Sequence, residues 1–474
     1  MNAPANHDAG ARSRLPGHFV AAEPALTFAP GPGAPRNVHP LLGLLSHGPY
    51  ALPSHGGNVR VATITAVGQQ QRLFGFLSGL RGRHDPTDRP SYIPAYPGFA
   101  SVMKVDVMPA AGCHFELPDI EPSDQDELLE SLGRAVSELH AHRDRWDVIA
   151  FLLPEQWEPL RESPDGRYRL HDRLKAMAAQ LGCPIQMLRE TSALSFAHFA
   201  SLAWRLSIAL LAKAGGVPWR IEPTSGVETA YIGLSYAIRG GSSNDFITCC
   251  SQVMGSDGGG MEFVAYNVGA ARDLDNPHLT RDEMRAVMSR SAQLYQHRRA
   301  GHLPRRLTVH KKLRWRPDEI QGVLDAWGPS IDVECVSIQT DPPWRAAELE
   351  ADPAGKRRSV PASWPLRRGT FVQLSQYGGL LWLTGTAPTL SVRGREYNPS
   401  VKGIPAPVFL TRDAGQGPLD LMIADAMALS KMNWNNDSPF DGEPVTMRYS
   451  ANLAQVIGHV PSLPDDVYQY RLFM

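Results

Sequence analysis

In the run Trp146-Asp-Val-Ile-Ala-Phe-Leu-Leu153 nearly every side chain is apolar. A strand with one wet face would alternate, so this run reads as a strand covered on both faces, as in a parallel sheet with helices packed on either side. Its neighbours agree. Residues 59–66 are apolar and β-branched, and a helical pattern follows at 69–80. Residues 102–108 read as a second strand, and Ser123 with Asp126 reads as a capping box opening a helix over 128–140. Beyond the central strand come a helix at 171–181, a strand at 184–188 and a long helix that stops at Gly215-Gly216. This alternation predicts a Rossmann-like, doubly wound α/β domain.

After Pro223 the pattern changes. Strand-like runs at 230–239, 246–254 and 261–267 are separated by glycine-rich turns, which predicts an antiparallel meander. Gly255-Ser-Asp-Gly-Gly-Gly260 lies between two of these strands and not before a helix, so it reads as a hairpin turn rather than a phosphate loop. Thr280 with Glu283 caps a helix reaching Arg299, and Gly301 stops it. A strand at 307–310, a helix opened by Pro317 and a strand at 331–338 complete the element order of an RNase H-like domain. Residues 341–370 are proline-rich and basic (Lys356-Arg-Arg358, Arg367-Arg368) and read as an exposed insertion. Strands near Gly378-Gly-Leu-Leu-Trp-Leu-Thr384 and helices at 419–432 and 451–460 follow. The expected division is an extended or poorly ordered arm at 1–36, a first domain at 37–222 and a second at 223–474.

An apolar content of 43% and a charged content of 20% exclude wholesale disorder. Lys+Arg 47 against Asp+Glu 48 gives a net charge of −1, so a nucleic acid would have to be met by a local basic groove. The five cysteines form no CxxC pair, which argues against structural zinc and for a reduced, cytoplasmic setting. The first residues carry no secretory pattern, and the richest apolar stretch, 202–214, is short and contains Arg205 and Lys213, so a soluble protein is expected.

His171 and Lys175 stand four apart on one helical face, Gln186 lies in the strand that follows, and Lys213 sits in the last turn of the next helix. Cations with directional donors suit a terminal phosphate. A lysine near a helix C-terminus also complements the macrodipole, and a surface His–Lys pair can simply be solvated. Spacing alone does not bring the four together. The basic run Arg305, Arg306, Lys311, Lys312, Arg314 and Arg316 reads either as phosphate-backbone contact or as a solvated face.

Several blocks resemble the Argonaute family. Leu211-Ala-Lys-Ala-Gly-Gly-Val-Pro-Trp219 is similar to the lysine-Gly-Gly-x-Pro-Trp block that ends the MID domain before PIWI begins. His171-x-x-x-Lys175 with Cys183-Pro-Ile-Gln186 resembles the family's guide-end pocket, and Tyr231-Ile-Gly-Leu234 its first PIWI strand. Ala428-Leu-Ser-Lys-Met-Asn-Trp-Asn-Asn436 and the end Tyr468-Gln-Tyr-Arg-Leu-Phe-Met474 resemble late PIWI segments. The resemblance covers about 37–474 and implies a MID domain followed by an inactive PIWI domain. It implies that His171, Lys175, Gln186, Lys213 and the Met474 carboxylate hold the 5′-phosphate of a guide RNA, with Mg²⁺ bound at that carboxylate. Where some relatives carry a second lysine, this chain has Ala209. The family's catalytic aspartates fall on Ser235 and on Lys312 (Leu313 if the register slips by one), and an ammonium group cannot ligate Mg²⁺. Asp245, Asp257 and Glu262 sit in or near turns, and Asp437 is one carboxylate where a two-metal site needs several. Arg305, Arg306, Lys311 and Arg314 would border the duplex.

The form implied is a short prokaryotic Argonaute without N and PAZ domains. It would recognise complementary single-stranded DNA of plasmids or phage without cutting it. Its output would come from a partner carrying an APAZ region and a sirtuin-like or TIR NAD⁺-consuming domain, or a nuclease, in a heterodimer or larger oligomer. Residues 15–36 and 341–366 are candidate partner surfaces. Two alternatives stand beside this: a guided endonuclease with a rearranged metal site, and a scaffold with a relic pocket.

Overall fold

The alternating segment forms the parallel sheet its pattern demands. The computed structural model describes residues 17–87, 92–239, 246–255, 260–270, 278–362, 364–392, 404–460 and 467–474. Strands β1 (Val59–Ala66), β2 (Val107–Leu117), β3 (Val148–Leu153) and β4 (Ile185–Arg189) pair in parallel in the order β2-β1-β3-β4. β3 is buried along its whole length because both faces are covered. Val148, Ala150 and Leu152 pack with helix α3 (Phe199–Lys213). Ile149, Phe151 and Leu153 pack on the other side with α1 (Gln125–His140) and α2 (Leu170–Gln180).

Two local expectations shift. The strand expected at 102–108 is instead a short helix, Phe99–Met103, followed by β2; Lys104, at a φ of 60°, turns the chain between them. The cap of α1 is Asp124, whose carboxylate accepts the Glu127 amide at 2.8 Å, one residue later than expected.

Beyond Pro223, β5 (Thr229–Arg239), β6 (Phe246–Met254) and β7 (Gly260–Ala270) form the antiparallel meander. Helix α4 (Arg281–Arg298) begins with the Thr280–Glu283 capping box. β8 (Arg306–Lys311) runs parallel to β5 and to β9 (Asp332–Thr340), with α5 (Pro317–Trp327) between β8 and β9. β10 (Thr370–Ser375), β11 (Gly378–Leu381) and β12 (Val408–Ala414) extend this sheet, and α6 (Leu419–Leu429) and α7 (Val445–His459) follow. β5 and α7 approach so closely that a Cβ on Gly233 would stand 1.9 Å from the Thr446 carbonyl oxygen, so only glycine fits there.

Residues 17–36, expected as an arm, are extended but built into the fold. His18–Val20 pairs with β10 at one edge of the large sheet, and Leu26–Thr27 pairs with Arg36–Asn37 and Arg220–Ile221. Leu26 and Phe28 are buried. Arg368, read as part of the exposed insertion, is also buried, because Glu23 of this arm reaches it at 2.9 Å. Trp344, Leu349 and Trp364 of the insertion do face solvent. One apolar cluster runs from β1 and α3 through Trp219 to Trp434, Tyr449 and Met474, so both halves share a core. No described helix is long and apolar enough to cross a membrane.

Candidate functional site

The shared core brings the chain's end under the first domain. Leu472, Phe473 and Met474 are buried, and the Tyr468 and Phe473 rings meet edge-on at 5.5 Å. Lys175 of α2 lies over these residues: its ammonium donates to the Phe473 carbonyl at 2.9 Å and to the Met474 backbone oxygen. α3 stops after Lys213 because Gly215 takes a φ of 94°, which glycine adopts freely. The buried Lys213 donates to Gln186 Oε1 at 2.5 Å, and the Gln186 amide nitrogen donates to the Met187 carbonyl at 3.0 Å. His171, on the exposed rim, is held by Asp172 at 3.0 Å. His171, Lys175, Gln186, Lys213 and Met474 therefore form one cluster, brought together from three elements and the segment at 472–474.

The electrostatics of this cluster are dominated by its cations. Burial pushes Lys175 down to about 8, against the opposing pull of Asp172. Lys213 falls well below the ordinary lysine value, first by burial and then by the nearby Lys175 charge. Burial likewise lowers His171, with Asp172 opposing and Lys175 reinforcing the shift. Lys213 is given a neutral amide and a neighbouring cation, and no carboxylate among the described residues pairs with it. Buried ammonium groups are costly unless an anion compensates them. An incoming phosphate would.

The expected Mg²⁺ would have to be held by oxygens. Those at hand are a Met474 oxygen, which accepts from Lys175, and Gln186 Oε1, which accepts from Lys213; a phosphate and waters would supply the others.

The second group of expected residues lies where β5, the end of β8 and α7 meet. Ser235, Tyr236, Lys312, Gln455, Gly458 and His459 line a cavity of about 480 Å³ there. The Ser235 hydroxyl lies 2.9 Å from that of Ser450, and Lys312 is exposed. His310 beneath is buried, contacts the Thr446 hydroxyl at 2.9 Å and is pushed down to about 3 by burial and the Arg306 charge. Asp245 and Asp257 lie outside the described residues. Glu262 pairs with Arg298, and Asp437 is buried.

The basic run is corrected in two places. Arg306 is buried between Glu334 and Asp425, 2.7 Å from the latter, and Lys311 is buried on Glu319 at 2.6 Å, over the Trp315 ring. Both sit on β8, an inner strand, and each is paired with carboxylates inside the protein, although Lys311 also borders the cavity beside Ser235. Arg305 and Arg316 are exposed. Arg314 is exposed but held by Asp413 at 2.6 Å.

Sequence reasoning missed Asp172, Gln455 and His459. The buried Asp172 accepts from His459 at 2.8 Å and lies 3.3 Å from the Gln455 amide nitrogen. A buried acid beside His171 was the one available signal.

No family model and no curated protein matches the sequence. Among solved structures, the chain is similar to Clostridium butyricum Argonaute bound to a guide DNA and a 19-mer target DNA, with a TM-score of 0.66 at 14% identity over 96% of this chain and 54% of that one. It is also similar to Aa-Ago with externally bound siRNA (TM-score 0.63, 12% identity, 98% and 56% covered) and to Drosophila Piwi (0.60, 15%, 96% and 55%). These likenesses show that the chain has an Argonaute, Piwi-like fold, and that it spans just over half the length of those proteins.

Proposed function

We propose that this chain holds the 5′-phosphate of a guide RNA and uses the guide to recognise complementary single-stranded DNA without cutting it. The observation that carries the reading is the pair of neighbouring buried lysines, Lys175 on the Phe473 and Met474 backbone oxygens and Lys213 on the Gln186 amide oxygen. A phosphate there accepts from both ammonium groups and from His171, in charge-assisted hydrogen bonds. The fixed end leaves guide bases free to pair, so sequence is read by base pairing and the protein holds the backbone. Mg²⁺ held by the Met474 oxygens, Gln186 and the phosphate itself would add to these cations.

The absence of cutting rests on Ser235 and Lys312 at the positions where the family resemblance places carboxylates. A cation and a hydroxyl do not hold the metal pair of such a centre. Recognition then needs an output, and the proposed source is a separately encoded APAZ-bearing partner with an NAD⁺-consuming or nuclease domain, acting against invading DNA in the cytoplasm. The exposed Trp344, Leu349 and Trp364 support a partner surface on the insertion.

The test follows a labelled single-stranded DNA target with complementary RNA guides bearing 5′-phosphate or 5′-hydroxyl, on wild type and Lys213→Ala, with Mg²⁺ present. Retention that requires both the phosphate and Lys213, with the target intact, is expected. A cut target would overturn the inactive centre, and equal retention of both guides would overturn the pocket.

A further inference from the structure

The guide-end pocket and the cavity beside Ser235 are joined by one side chain. Asp172 is buried, in the first turn of α2, and its two oxygens face different sites. Oδ1 holds His171 Nδ1 at 3.0 Å, on the rim of the pocket. Oδ2 holds His459 Nδ1 at 2.8 Å and lies 3.3 Å from Gln455 Nε2, and both of those residues line the cavity. Gln455 and His459 sit one turn apart near the end of α7, which packs against α2. An acid that only complemented its helix dipole would need none of these partners.

We propose that Asp172 is a positioning residue shared by the two sites, so that a phosphate seated in the pocket is felt at the cavity wall. The inference rests on the pocket reading above. A phosphate beside His171 draws the imidazole toward the charged form, which grips Asp172 Oδ1 more tightly. Gln455 and His459 compete for the same carboxylate, so their hold on the last turns of α7 changes with it. Such coupling is reciprocal: an occupant of the cavity that orders His459 would in turn favour a phosphate in the pocket. Guide-end binding would thereby set the wall against which a strand lies near Ser235 and Lys312.

The test is hydrogen exchange on the full chain with inorganic phosphate, too small to touch both sites, and with chloride at matched ionic strength as the control. In wild type phosphate is expected to slow exchange at 170–180 and, at least threefold, at 451–459. In Asp172→Asn, and independently in His459→Gln, protection at 170–180 is expected to persist and that at 451–459 to disappear. A purely structural role for Asp172 would alter both regions with or without ligand. Protection of 170–180 alone in wild type would overturn the coupling and leave the pocket standing. Unchanged protection at 451–459 in both variants would also overturn it. Protection of neither region in wild type would overturn the pocket, and the coupling with it.

Discussion

Lys213→Met separates a binding lysine from a structural one, because the two roles predict opposite signs. The side chain is fully enclosed, and methionine nearly matches its volume while removing the charge. In the free protein the substitution loses the 2.5 Å hydrogen bond to Gln186 Oε1, at a cost of about 1 kcal/mol. It also removes an ammonium group that burial and Lys175 both disfavour, which offsets that loss. Stability at pH 7 should therefore lie within about 1 kcal/mol of wild type, or above it. In the complex a charge-assisted hydrogen bond to the phosphate disappears, worth about 1.5–3 kcal/mol, so the preference for 5′-phosphate over 5′-hydroxyl guides should fall about 10- to 150-fold. Urea midpoints and fluorescence anisotropy with the two guides measure both quantities. A stability loss above about 2 kcal/mol with an unchanged guide preference would refute the reasoning, since that is how a structural lysine behaves.

The 5′-phosphate preference should also depend on pH. Lys175 sits at about 8 in the free protein, so above that pH binding must first restore a proton; the phosphate itself gains its second charge above about 6. The preference should peak between these values and decline toward pH 9.5, and a flat profile would contradict the charged pocket. Chelation of divalent ions should weaken the preference, because Mg²⁺ would bridge the phosphate to oxygens of this site; a preference unchanged in EDTA would mean that the ammonium groups suffice. Arg306→Met should cost about 3–5 kcal/mol through stranded Glu334 and Asp425 without changing the salt slope of nucleic acid binding, whereas Arg305→Ala should reduce that slope by about one. Urea melts and salt titrations of the two variants test both halves.

The parts of the fold legible in the sequence were those fixed by local periodicity. The unbroken apolar run of β3 required cover on both faces, the Thr280–Glu283 pair marked a helix start, and Gly215 marked the end of α3. The pocket lysines were visible as types at helical spacing, and only the family resemblance brought them together. What stayed hidden depends on partners far apart in the chain. Arg306 and Lys311 look like surface charge in a basic run, yet they face Glu334, Asp425 and Glu319. Asp172 meets residues 283 and 287 positions away, and nothing local marks that meeting. The arm misled differently. Its proline and glycine content describes backbone without regular structure, whereas what fixes it in place is side-chain burial, at Leu26, Phe28 and Glu23.

Glu23 gives that correction a measurable form. Its carboxylate lies 2.9 Å from Arg368 and 2.9 Å from Lys431, two cations with almost no exposed side-chain surface. Burial raises the Glu23 pKa, but Arg368 and then Lys431 outweigh it, so the group stays charged below the usual carboxylate range and its contribution is lost only as pH falls through that lowered value. Lys431 also donates to the Pro24 and Val38 carbonyls, so the arm wraps around it, and the Lys431 carbonyl accepts Trp219 Nε1 at 3.0 Å from the segment that links the two halves. Glu23→Gln keeps the shape and strands two buried cations, which should cost about 3–5 kcal/mol, a large part of an ordinary folding free energy. The double variant Glu23→Gln with Lys431→Met removes one stranded charge and should recover part of that loss, giving a coupling above about 1 kcal/mol in a double-mutant cycle. A cost below about 1 kcal/mol for Glu23→Gln would mean that the arm contributes little to the core and lies on the protein as its composition first suggested.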